Sequence, residues 1–361
     1  MNKRLWVIAF AALTVGGILF GCSKGGSDDG TKVEPTTDFK IGMLTNYADN
    51  IIIPAYSDLK TKLDLLDVSV NAFITSPSIA TQQSLKTVFK NTYVSFQGIS
   101  SAYFGPASSL LLNSYINSFP CTTTKIETGI QSGVYNFDQP VASDSIQGFP
   151  ALDYLLFSTN AVQKFSDAGA TNRKKYVQDI MVRMKTLVNN SLVQWNGNYR
   201  TTFINSTQTN VGSSIGYLIN QFAFELDALK GPRIGWPFGK RSNGIVFADK
   251  CEGYYAGIST ALAVANLTSL KNYYTGGKGV GIADYLVKLG KDPLNNEVLA
   301  QFETAINALT AVPDPMSDAY TNNATVVENA YKEVQKLLTL IKTDVASATA
   351  VQVTYMDNDG D

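Results

Sequence analysis

Apolar residues recur every three or four positions through almost the whole chain, and that spacing leaves little room for anything but helices. Tyr56, Leu59, Leu63, Leu66, Val70 and Phe73 form one such stripe, which places them on a single face of a helix. Further stripes follow at Leu85, Val88, Phe89 and Phe96, at Val177, Ile180, Met181, Met184 and Leu187, and at Ile215, Leu218, Ile219, Phe222 and Leu226. The last two run through Leu294, Val298, Phe302, Ile306 and Leu309 and through Val326, Val327, Tyr331, Val334, Leu338 and Ile341. No β alternation of useful length interrupts them. The fold class expected is all-α, built as two packed helical bundles.

The chain divides by composition. Lys3 and Arg4 precede an apolar run from Leu5 to Phe20, which ends at Gly21-Cys22. A basic start, a short apolar core and a small residue before a break make a secretory signal over 1–21. A cysteine just after the small residue resembles a bacterial lipobox, which makes Cys22 the lipidated first residue of the mature chain. Residues 22–37 are polar and glycine-rich and read as a flexible tether. The bundles are expected over 38–165 and 166–350, with an acidic tail over 351–361. Such a chain sits in the cell envelope, held to a membrane, preferably the outer one, through its lipid.

The most exclusive count is zero: there is no histidine. Ser-His-Asp and Cys-His catalysis are thereby ruled out, as is zinc held by a His-Glu-x-x-His helix. General acid–base chemistry is left to Asp, Glu, Lys and Tyr. A bound metal would be a hard ion such as iron or calcium, held by oxygen donors. Beyond Cys22 the cysteines are Cys121 and Cys251, and spacing alone does not decide whether they meet. A net charge of −1 with no basic stripe argues against nucleic acid.

Local expectations follow from caps and breakers. Ser76-Pro77 reads as a helix start. Cys121 to Gln147, rich in Thr, Ser, Gly and Asp, reads as loop, as does the Gly- and Pro-dense stretch Gly231–Gly239. A long helix is expected over Glu252 to Tyr274. In Gly148-Phe149-Pro150-Ala151-Leu152-Asp153, proline falls in a first turn, and Pro150 and Asp153 share a face. Asp153 and Glu252 each have a plain explanation as acidic residues near helix starts. Trp236, Phe238, Tyr254 and Tyr255 form an aromatic set that suits either core packing or a glycan or peptide pocket.

The segment Gly148–Asp153 resembles the Gly-x-His-x-x-Glu signature of the imelysin-like family, with Pro150 in the histidine's place and Asp153 in the glutamate's. Four other stretches resemble that family in order: Ile51–Tyr56, Phe104–Ala107, Ile234–Gly239, and Glu252–Gly257 followed by Asn266-Leu267. The resemblance implies a two-domain helical fold in exported or anchored bacterial proteins, some linked to iron uptake, and carries a metallopeptidase label. It places ligand-binding residues at Gly148, Pro150, Asp153 and Glu252, with Asp153 and Glu252 as metal ligands. Proline offers no donor atom, so a binding protein for iron or another hard cation, working with an outer-membrane transport partner, is expected before a peptidase. A surface protein docking a partner or glycan through a degenerate site is the alternative reading.

Overall fold

The first long element follows directly from the first stripe. In the computed structural model, which describes residues 34–140 and 142–354, helix α1 (Thr37–Asn46) passes through a wide turn, Tyr47–Ile52, into α2 (Ile53–Thr75). Pro54 stands just past that turn and lacks the N–H a regular turn would use. Helix α3 (Ile79–Ser100) starts two residues later than Ser76-Pro77 predicts. There Ser78 Oγ accepts from the Thr81 N–H while Thr81 Oγ accepts from the Ser78 N–H, a reciprocal cap that satisfies two orphan donors.

Short helices α4 (Leu112–Asn117) and α5 (Thr123–Ser132) follow, then α6 (Gly148–Phe157) and α7 (Thr171–Gln194). The later chain contributes α8 (Ser214–Ala228), α9 (Ser259–Thr275), α10 (Asp292–Thr310) and α11 (Ala324–Thr339). α2 packs against both α3 and α7; α9 packs on α10, α10 on α11, and α11 on α8. The two groups meet where α3 lies along α9. The described residues contain no strand, and the architecture is helical bundles packed together.

Three expectations fail for identifiable reasons. The stretch Cys121–Gln147 is not all loop: Ile126 and Ile130, one turn apart, are buried and draw Thr123–Ser132 into helix α5. The long helix expected from Glu252 begins instead at Ser259. Gly253 and Gly257 there hold positive φ of 67° and 64°, a conformation that a helix cannot contain. The α9 N-terminus is fixed from a distance, since Asp314 accepts from the Thr260 and Ala261 N–H groups. The stretch Gly231–Gly239 is also tighter than a loop, since a wide helical turn covers Leu229–Gly235.

The described residues form a compact unit of their own. The stretches expected to be signal and tether, Cys22 included, lie outside the described residues except for 34–37, as does the expected tail beyond Thr354. No described helix is long and apolar enough to cross a membrane.

Candidate functional site

Phe149 decides where the motif helix sits. Its ring stacks on Tyr93 at 4.3 Å and meets Phe89 and Phe96 edge-on or tilted, all on α3. It is fully buried, worth roughly 2–3 kcal/mol against exposure. Gly148 ahead of it has φ +75°, and a Cβ there would lie 2.3 Å from the Ile116 carbonyl oxygen. Glycine is therefore required by the backbone of α4 passing over it. Pro150 sits in the first turn, where its missing N–H leaves no bond unmade.

Asp153, one turn further, is 2 % exposed. Its Oδ2 accepts from the Tyr255 N–H at 2.9 Å and its Oδ1 from the Ala256 N–H at 2.8 Å. Both carboxylate oxygens thus hold the Cys251–Ile258 loop against α6. Burial pushes the Asp153 pKa up to about 7; the two N–H groups and the more distant Lys86 oppose the rise, and the Glu252 charge adds to it.

Glu252 is equally buried, at 2 % exposed, and faces different company. Its Oε1 accepts from Gln97 at 2.9 Å and from Asn117 at 2.7 Å, while Oε2 lies 3.4 Å from Arg233 Nε. Arg233 also donates to Gln97 and reaches Glu225 at 3.4 Å. Asn266 closes the set, its amide nitrogen within reach of Gln97, Ser100 and Glu225. Tyr93 donates to Asn117 in a short contact. Burial works against the Arg233 charge, but the Glu252 and Glu225 carboxylates outweigh it and raise its pKa. This network fills the junction of α3, α8 and α9.

A small pocket opens on the other side of the loop. It holds about 80 Å³, and its wall includes Cys121, Pro150, Asp153, Asp249, Cys251 and Tyr255. Thr123, Tyr254 and Lys250 complete its polar lining, with Lys250 paired to Asp249 at 2.8 Å. Pro150 and Asp153 therefore come together at a cavity, whereas Gly148 and Glu252 do not line it. Of the aromatic set, Tyr254 and Tyr255 line it, and Trp236 and Phe238 pack elsewhere, against Phe247 and Tyr320. Cys121 and Cys251 are both free thiols. Burial pushes each thiol up to about 12, and the Asp153 charge adds to both.

Among the described residues no group of three or more Cys, Asp or Glu side chains is arranged to hold a metal. Sequence reading did not name Gln97, Asn117, Glu225 or Arg233 as site residues, and met Asn266 only in the stretch after Glu252–Gly257. A signal existed for two of them. Glu225 stands three residues after Phe222 on an apolar face, and Gln97 four after Tyr93.

The imelysin family model (Peptidase_M75) matches residues 52–343. No curated protein matches the chain. Among solved structures, an iron-regulated protein A precursor from Parabacteroides distasonis ATCC 8503 aligns with a TM-score of 0.75 at 18% identity, covering 88% of this chain and 96% of that one. An imelysin-like protein from Psychrobacter arcticum 273-4 aligns at 0.71 and 19%, covering 89% and 98%. The family match spans most of the chain and includes α6, the Asp153-held loop and the buried network behind it, so the chain belongs to the imelysin family.

Proposed function

We propose that this imelysin-family chain is a lipid-anchored envelope protein that captures a cation in the pocket over Pro150 and Asp153, and that it is not a working peptidase. The observation that carries the reading is the pocket's size and lining. About 80 Å³ admits an ion with a few waters and falls far short of the roughly 300–1,000 Å³ of organic-ligand sites. Apart from Lys250, every titratable group in its wall is an acid: Cys121, Asp153, Asp249, Cys251, Tyr254 and Tyr255. Asp153 shapes the pocket by holding its loop and presents its carboxyl group to the wall.

Iron is the first cargo to test, because one structural neighbour is an iron-regulated protein precursor. The test is elemental analysis of the chain from Ser23 onward, which keeps the compact unit whole, after exposure to iron, zinc and calcium. The Asp153→Ala, Glu252→Ala double variant and Asp153→Asn are measured beside it. Stoichiometric metal that falls in the variants supports capture at this site. Metal unaffected by either variant places the cargo elsewhere, and no metal at all turns the search to a docked protein or glycan. The anchor is tested separately: the full chain fractionates with membranes and a Cys22→Ser chain does not.

A further inference from the structure

Both cysteines that follow Cys22 in this chain fall in the wall of one pocket of about 80 Å³. Cys251 begins the loop that Asp153 holds, and Cys121 precedes α5 on the opposite segment. Neither is in a disulfide. The Cys251 sulfur lies 3.2 Å from the Ala248 carbonyl and accepts from the Ser259 hydroxyl at 3.2 Å, so its position is set by the loop and by the first turn of α9. Asp153 stands within electrostatic reach of both thiols, and Tyr255 is within reach of Cys121, Asp153 and Asp249. The carboxylate oxygens of Asp153 are already accepting backbone N–H groups and Asp249 is paired with Lys250, so the two sulfurs are the soft donors that the wall offers.

We infer that the cation this pocket takes is a soft one of low coordination number, copper(I), bound by the sulfurs of Cys121 and Cys251. The inference rests on the reading that the pocket captures a cation, and it names the chemistry. Thiolates select copper(I) over hard ions, and a two-donor site needs no third protein ligand, in keeping with the absence of a three-ligand cluster among the described residues. Binding forms two S–Cu bonds and breaks two S–H bonds. The two protons leave to solvent, and copper stays in the +1 state, so no oxidant or reductant is consumed.

The experiment is withdrawal of copper(I) from a coloured chelator, under reductant and without oxygen, by the chain from Ser23 onward. One equivalent per chain is expected, with about two protons released per ion at neutral pH. Cys121→Ser and Cys251→Ser should each weaken binding by at least about 100-fold. Should Cys251→Ser fail to fold, the copper X-ray absorption spectrum of the unaltered chain decides, with two sulfur neighbours supporting the assignment and an all-oxygen shell overturning it. Copper(I) left on the chelator, or retained by a chain with both serines, also overturns it. Iron bound independently of both thiols and lost in Asp153→Asn would leave the pocket standing and remove only the sulfur chemistry.

Discussion

Asp153 and Glu252 are buried to the same 2 %, and the fold treats them in opposite ways. Glu252 stands in a network with a guanidinium and two side-chain amides, where its charge has a counter-charge. Asp153 receives two backbone N–H groups, no adjacent cation, and a pKa pushed up to about 7 by burial. Depth alone therefore does not decide what a buried carboxylate does. The donors around it do, and here they separate a load carried inside the helical junction from a group left poised at a cavity.

The largest expected effect lies on the network side. Arg233→Met leaves Glu225 and Glu252 without their shared cation, and stability should fall by about 3–5 kcal/mol in urea unfolding. A loss under about 1 kcal/mol would mean that the carboxylates find protons or water there, and the contrast with Asp153 would collapse. Gly148→Ala comes next: a Cβ at 2.3 Å from a carbonyl and a φ of +75° should cost roughly 2–4 kcal/mol. An unchanged melting temperature would show that α6 can slide away from α4.

On the pocket side the expected effect is a pH dependence. Burial pushes the Asp153 pKa from an ordinary 3.8 up to about 7 in the folded chain, so between those values the folded chain holds a proton that the unfolded chain has released. Stability should therefore fall as pH rises from about 4 to 7, by up to a few kcal/mol. With no histidine in the chain, other side chains contribute little in that window. The paired carboxylates of Asp49, Asp64, Glu127, Glu328 and Glu333 have lowered pKa values and act on its acid side. Asp153→Asn should flatten the slope; a slope that survives the change assigns it to another group. The smallest effect is expected from Pro150→His, which removes no hydrogen bond and should shift stability by under about 1 kcal/mol, while adding a nitrogen donor to the pocket wall. A large loss would show that the proline itself holds the first turn of α6.

Much of this fold was legible before any coordinates. The stripes at Tyr56–Phe73 and Val177–Leu187 appear as helices with those residues buried, because a 3.6-residue period needs only local information. The motif segment was legible too, with Phe149 and Pro150 in a first turn. The Glu252–Ile258 turn was not. It depends on two N–H groups captured by Asp153 from about a hundred residues away and on glycines at positive φ, and neither shows in a local hydrophobic pattern. The meeting of Cys121 and Cys251 at one pocket was likewise invisible, since it is set by how α4, α6 and the loop before α9 converge.

A second cavity offers the control that the account needs. A trough of about 830 Å³ runs between α2, α3 and α9 past Ala55, Val94, Gly98, Val264 and Asp314, larger and more apolar than the pocket over Asp153. The most direct measurement is metal binding by the chain from Ser23 onward, for iron, zinc, calcium and copper(I), with changes placed in each cavity in turn. Stoichiometric binding lost on Asp153→Asn or on the Cys121→Ser, Cys251→Ser pair, and kept when Val264→Trp fills the trough, is the result predicted. Binding that ignores the pocket changes, or no binding of any of the four ions, would contradict the claim that the imelysin motif here frames a cation site.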